Sequence, residues 1–265
     1  MLKHVLLACC LLTVAAAPAA ETLKVGIYPS YPPLDMKDPA TGALTGFDVA
    51  LGNALAERMG VKLRWEETSF AQFIASVETG RIDLFLNGMN DTPEREKVIS
   101  FVDYIKSGTQ FMVRAADVGT YATPLDLCGR KVAGSRSTNL PGQVAAWSAA
   151  HCAALGRPAV IFLGADNNID ARSQLKQGRA DAMAQDSLTI PYVQSQEPGV
   201  YRTVGKPFDV TVMGIGVPKH AVALQASLQK SLQSLIDDGT YSGLIERSGL
   251  PESSAVARSS LNGGH

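Results

Sequence analysis

Phe47, Leu51, Leu55 and Met59 recur at spacing four, which lays one apolar stripe along a helix that Gly60 stops. A second stripe of Phe73, Ile74 and Val77 follows, and before both stands a short strand, Lys24-Val25-Gly26-Ile27-Tyr28. The pattern then repeats. Val77-Glu78-Thr79-Gly80-Arg81-Ile82-Asp83-Leu84 returns as Leu175-Lys176-Gln177-Gly178-Arg179-Ala180-Asp181-Ala182, each an amphipathic helix end, a Gly and an apolar strand. In the second unit Lys131-Val132-Ala133-Gly134 is the opening strand, residues 139 to 154 and 168 to 177 are the helices, and Ala159 to Leu163 is the strand between them. Strands alternating with helices predict an α/β chain with a mostly parallel sheet in each of two units. A strand from Val212 to Val217 and helices over 220 to 236 and 240 to 247 complete the pattern. Beyond Pro251 the chain is Ser- and Gly-rich without period, which predicts a disordered tail over 251–265.

The first 19 residues read differently from the rest. Lys3 and His4 precede an apolar stretch from Val5 to Leu12, and the segment ends on Ala17-Pro18-Ala19, the order of a cleavable signal peptide. The stretch is shorter than the roughly 20 residues a membrane helix needs. Leu6-Leu7-Ala8-Cys9 is a poor acylation site, so a lipid anchor on Cys9 or Cys10 is the weaker reading. An exported chain follows, with Cys128 and Cys152 its two remaining cysteines. In an oxidising compartment they are expected to form a disulfide, the alternative being two buried thiols. On a chain-entropy model that link contributes roughly 3 kcal/mol or a little more.

Charge narrows the partner. The full chain has 24 basic and 25 acidic residues, and removing residues 1–19 takes one Lys with it, leaving 23 against 25. No basic run stands out, which argues against a nucleic-acid partner. Enzyme and cofactor motifs are missing too. Between Gly199 and Gly205-Lys206 the spacing is wrong for a phosphate loop, with Pro207 where Ser or Thr belongs, and Gly214-Ile215-Gly216 lacks a third glycine. His151 and His220 fall in no triad or metal motif. No cofactor is expected, and the chain is read as a binding protein and not an enzyme.

Ligands of parallel sheets bind beyond the carboxyl ends of the strands. Here those ends run into Tyr28-Pro29-Ser30-Tyr31, Asn87-Gly88-Met89-Asn90, Ser135-Arg136-Ser137-Thr138-Asn139 and Gln185-Asp186. Arg95, on a helix opened by Thr92-Pro93-Glu94, has the fork geometry to hold a carboxylate, or it pairs on the surface with Glu94 or Glu96. Asp186 pairs with a cation or caps the helix that follows it. Tyr28, Tyr31 and Phe70 wall a pocket or fill a core.

Tyr31-Pro32-Pro33-Leu34, Gly46-Phe47-Asp48, Gly80-Arg81-Ile82-Asp83, Gly88, Thr92-Pro93-Glu94-Arg95 and Phe101-Val102-Asp103-Tyr104 resemble, in order and spacing, the polar-amino-acid type of extracellular (periplasmic) solute-binding proteins, family 3. Leu127-Cys128-Gly129-Arg130-Lys131-Val132, Gly178-Arg179-Ala180-Asp181-Ala182 and Asp186 extend the likeness over about residues 22 to 250. The resemblance implies the two-lobed type II periplasmic-binding-protein fold, joined by two hinge strands. Lobe 1 would be 20–113 plus 211–250 and lobe 2 would be 114–210, with crossings near Met112 to Ala115 and Asp209 to Met213.

It also implies roles. Arg95 would clamp a ligand α-carboxylate, helped by Gly88, Asn90 and backbone groups around Thr138 and Asn139, while Asp186 takes the α-ammonium. Asn90, Ser137 and Asn139 depart from the family's usual residues. Tyr28 stands where cation-binding relatives carry Asp, Tyr31 and Phe70 match the aromatic walls, and Gln185 supplies a polar contact. A neutral amino acid with an apolar or aromatic part is therefore expected, with Arg136 keeping an acidic one open. The implied partner is the membrane permease of an ABC importer, the implied place the periplasm and the implied state a monomer. Two alternatives share the fold: a cyclohexadienyl or arogenate dehydratase-like enzyme, with Asp186 its one candidate acid, and a ligand sensor for a membrane receptor.

Overall fold

Gly80 and Gly178 each follow a helix in the left-handed conformation, at φ of 69° and 73°, where a side chain would strain the backbone. Each then releases the chain into a buried strand, so the duplicated sequence unit is a duplicated β-α-β unit. The computed structural model describes residues 20–263. The expected leader over 1–19, with Cys9 and Cys10, lies outside the described residues.

In chain order the first unit holds β1 (Thr22–Ile27), the short pair β2 (Met36–Lys37) and β3 (Leu44–Thr45), α1 (Phe47–Met59), β4 (Lys62–Glu67), α2 (Phe73–Glu78), β5 (Leu84–Asn90) and α3 (Pro93–Glu96). A long strand, β6 (Ile99–Arg114), carries the chain into the second unit: β7 (Lys131–Ser135), α4 (Leu140–His151), β8 (Ile161–Ala165), α5 (Asn168–Lys176), β9 (Ala182–Asp186) and α6 (Ile190–Gln196). The equally long β10 (Tyr201–Pro218) returns to the first, which α7 (Val222–Asp237), α8 (Thr240–Arg247) and β11 (Ala255–Leu261) complete.

One sheet runs through both lobes in the order β4-β1-β5-β10-β6-β9-β7-β8, with β11 added on β6. The trios β4-β1-β5 and β8-β7-β9 are parallel, whereas β10 and β6 run antiparallel to each other and to the trio edges. The α/β, mostly parallel expectation holds. The stripe residues Phe47, Leu51 and Leu55 pack with Tyr104 and Tyr241 in lobe 1, and Phe111, Val132 and Trp147 centre the core of lobe 2. Cys128 and Cys152 are bonded, with Cα atoms 5.5 Å apart, tying the end of α4 to the approach of β7.

Three expectations need correction. First, β6 pairs with β9 from Thr109 to Val113, so Met112 and Val113 lie inside lobe 2 and the crossing falls at Ser107-Gly108 instead of Met112 to Ala115. Both halves of β6 are buried, so the apolar pattern carries no mark of the change. The return crossing, at the irregular pairing between Phe208 and Thr211 with Asp209 at φ 50°, overlaps the expected Asp209 to Met213. Second, the strand expected at Ala159 to Leu163 begins two residues later, at Ile161.

Third, the expected tail over 251–265 is largely a strand. β11 is held mainly by polar bonds: Ser260 Oγ and Gly263 N–H donate to Asp103 at 2.7 and 2.9 Å, and Phe101 N–H donates to Asn262 Oδ1 at 2.7 Å. Apolar periodicity cannot register such an anchor. Residues 264–265 lie outside the described residues.

Candidate functional site

The carboxyl ends of β1, β5, β7, β8 and β9 open on a single cleft of about 380 Å³ between the lobes. Lobe 1 contributes Tyr28, Tyr31, Phe70, Gly88 and Asn90; lobe 2 contributes Arg136, Thr138, Asn139 and Asp186; the crossing supplies Ser107 to Thr109. Of the ten ligand residues expected from sequence, eight therefore meet here: Tyr28, Tyr31, Phe70, Gly88, Asn90, Thr138, Asn139 and Asp186. Arg95 and Gln185 do not line the cleft.

Gln185 is displaced by strand parity. Successive side chains of β9 point to opposite faces, so when Asp186 enters the cleft its neighbour faces away. Gln185 lines instead a second cavity behind Tyr31 and donates its Nε2 to Thr189 Oγ1 at 2.6 Å.

Arg95 stands one layer back. Its Nη1 donates to the Asn90 carbonyl at 2.8 Å, and burial lowers its pKa to about 10, which leaves it charged at neutral pH. Asp91 and Glu94 act against that lowering. Asn90 itself is committed on its side chain, where Nδ2 donates to Thr211 Oγ1 of β10 at 2.8 Å.

Asp186 is the half-buried carboxylate of the cleft. It accepts from Ser107 Oγ at 2.5 Å and from Leu188 N–H at 2.8 Å, and it also meets the Tyr31 hydroxyl. Burial pushes its pKa up while the hydrogen bonds from Ser107 and Tyr31 oppose the rise. The same burial, with the Asp186 charge beside it, holds the Tyr31 hydroxyl protonated well above its ordinary range. Of the two roles expected for Asp186, the cap is visible: Oδ1 caps the turn at Leu188, while Oδ2 bonds Ser107 of β6.

Gly88 is required by the same tyrosine. Its φ is 56°, and a Cβ there would lie 2.5 Å from Tyr31 Cε1. Its N–H donates to Tyr104 Oη at 2.8 Å, so Gly88 shapes the cleft by its missing side chain. On the opposite wall Thr138 Oγ1 donates to the Ser135 carbonyl and accepts from Leu140 N–H, fixing the start of α4 against the cleft. Helix starts of this kind favour anions.

At the mouth Arg136 and Asp166 form an ion pair, with side chains 60% and 76% exposed. Exposed pairs of this kind contribute about 0–1 kcal/mol, but the pairing occupies both charges. Asp166 to Asn168, Ser69, Thr109 and Gln143 also line the cleft and are not singled out by the sequence reading, whereas Asn87 falls in one of its strand-end runs. Asp166 to Asn168 follow β8 and obey the strand-end rule, so they were within its reach. Gln143 accepts from Thr109 Oγ1 at 2.6 Å across the crossing and carries no local signal.

Among the described residues no helix is long and apolar enough to cross a membrane. The arginine-binding protein ArgT of Corynebacterium glutamicum is 29% identical over 230 residues, covering 87% of this chain and 75% of that protein. Among solved structures, an ancestral arginine-binding protein bound to glutamine is 30% identical with a TM-score of 0.76, covering 86% of this chain and 98% of that one. The ancestral amino-acid-binding protein AncCDT-1, a precursor of cyclohexadienyl dehydratase, is 30% identical with a TM-score of 0.72, covering 85% and 94%. The profile of the bacterial extracellular solute-binding proteins, family 3, matches residues 23–249, and the chain belongs to that family.

Proposed function

We propose that the chain captures a neutral amino acid with an apolar or aromatic part by closing its lobes, and delivers it to the permease of an ABC importer. The observation that carries this reading is the placement of Asp186, a half-buried carboxylate facing a cleft walled by Tyr28, Tyr31 and Phe70. Asp186 takes the α-ammonium. The α-carboxylate goes to Arg95 and the start of α4, with the Arg95 guanidinium leaving the Asn90 carbonyl as the lobes close. Recognition then needs both lobes, which ties occupancy to the closed shape that a permease reads.

The neutral side chain is argued from charge accounting. The lining acids are Asp186, spent on the ammonium, and Asp166, already paired with Arg136. A guanidinium or ammonium on the ligand's far end meets no unpaired acid there. In keeping with the family, residues 1–19 act as the leader that carries the chain to the periplasm, where it works as a monomer.

Native mass spectrometry of the protein as purified tests the reading directly. An adduct with the mass of a neutral amino acid supports it, and a basic amino acid or a ligand that is no amino acid overturns it.

A second reading, a dehydratase, draws on Asp186 as a half-buried acid in the cleft and on the likeness to a dehydratase precursor. Phenylpyruvate formed from prephenate in proportion to this protein, and lost in Asp186→Asn, would establish it.

A further inference from the structure

Two carboxylic acids lie under the cleft with no access to water. Asp35, in the loop after β1, and Asp48, in the first turn of α1, are both 0% exposed and lie side chain against side chain. Asp48 Oδ2 accepts from Tyr104 Oη at 2.9 Å. Neither oxygen of Asp35, nor Oδ1 of Asp48, receives a hydrogen bond from an N–H or O–H donor among the described residues. Two ionised carboxylates in that setting would be desolvated, mutually repulsive and short of donors. One proton removes the conflict, since a protonated carboxyl becomes a donor to its neighbour.

We propose that Asp35 and Asp48 hold a proton between them at neutral pH, and that Asp35 is thereby a positioning residue for the cleft, fixing Tyr31 and, through Asp48 and Tyr104, Gly88. The connections are short. Tyr31 N–H donates to the Asp35 carbonyl at 2.8 Å and Asp35 N–H returns a bond to the Tyr31 carbonyl at 2.9 Å, so the Asp35 backbone carries Tyr31. Asp48 N–H donates to the Leu34 carbonyl at 3.0 Å, which sews the same loop to α1. Tyr104 Oη, while donating to Asp48, accepts the Gly88 N–H at 2.8 Å. Removing the proton would set two like charges against each other at the joint between that loop and α1.

The groups facing the pair are the hydroxyls of Tyr31, Tyr104 and Tyr241, with Asp186 beyond Tyr31; none is a cation that would stabilise a second negative charge. Burial accordingly raises Asp48 to about 7 and Asp35 well above its ordinary value. Both shifts are upward, so the folded chain binds more protons than the unfolded one. The stability they confer is complete below the unfolded carboxylate range and is lost as pH rises through about 7 and beyond.

The test needs no ligand, so it stands apart from the amino-acid reading. The Gly88 amide resonance is followed by NMR in the unliganded protein between about pH 5.5 and pH 9.5, and the urea midpoint is measured over the same range. In the wild type the resonance is expected to titrate with an inflection near or above pH 7 while the midpoint falls. In Asp35→Asn, whose amide donates to Asp48 without a shared proton, the Gly88 inflection should leave this range and the midpoint should fall less than in the wild type, with Asp91, raised to about 8, still contributing. Should Asp35→Asn not fold, Asp48→Asn takes its place, with the same expected loss of the Gly88 inflection. A Gly88 resonance that does not titrate in the wild type, or one that titrates identically in a folded variant, overturns the proposal.

Discussion

Tyr31 of lobe 1 meets Asp186 of lobe 2 through its hydroxyl, so the aromatic wall and the cleft carboxylate touch across the cleft. The contact gives Asp186 a donor. Tyr31→Phe removes only that hydroxyl and keeps the ring against Gly88. A hydrogen bond to a charged group contributes about 1.5–3 kcal/mol, and the urea midpoint of the unliganded protein should fall accordingly.

Asp186→Asn should weaken amino-acid binding far more than it changes the fold. Losing one member of a buried charge pair costs about 2–5 kcal/mol, or roughly thirty-fold and upward in Kd. Thermal stabilisation by the amino acid that best protects the wild type should disappear, and full protection of the variant would remove Asp186 from the ammonium role.

Arg95→Ala tests the other end of the ligand. Because the guanidinium is bonded to the Asn90 carbonyl in the structure, the account requires it to exchange that partner for a carboxylate on closure. The variant should lose binding by a similar factor. Undiminished thermal protection would show that the start of α4 holds the carboxylate alone.

Gly88→Ala should damage cleft and fold together. The left-handed backbone costs a non-glycine residue about 1–2 kcal/mol, and the added Cβ stands 2.5 Å from the Tyr31 ring. Calorimetric affinity should fall beyond what the loss of thermal stability implies, because the displaced ring is part of the site.

Reduction of the Cys128–Cys152 bond should lower the free energy of unfolding by about 2–5 kcal/mol while sparing ligand affinity, since neither cysteine lines the cleft. Ending the chain after Ser254 should cost on the order of 2 kcal/mol, since Val256 leaves the core and Asp103 loses two donors.

Much of this is legible in the sequence for reasons that can be named. The repeated Gly-Arg-x-Asp unit exposes the two lobes because helix ends and strand starts follow local rules. The strand-end rule locates Tyr31, Gly88 and Asp186 because parallel strands open their carboxyl ends on one cleft. Gln185 escapes it because neighbours on a strand face opposite ways, so one position decides between cleft and second cavity. The crossing at Ser107-Gly108 is silent because β6 is buried on both sides of it. β11 is silent because Asp103 and Asn262, distant in sequence, fasten it. The Asp35 and Asp48 pairing is silent as well, since one acid looks like a loop residue and the other like a helix-start acid until the fold brings them together.

The most direct test of the central claim is isothermal titration calorimetry of the wild type and Asp186→Asn against the twenty amino acids. The account predicts tight binding of a neutral amino acid with an apolar or aromatic side chain, abolished in the variant. Tight binding of arginine or lysine, or binding that survives in Asp186→Asn, would contradict it.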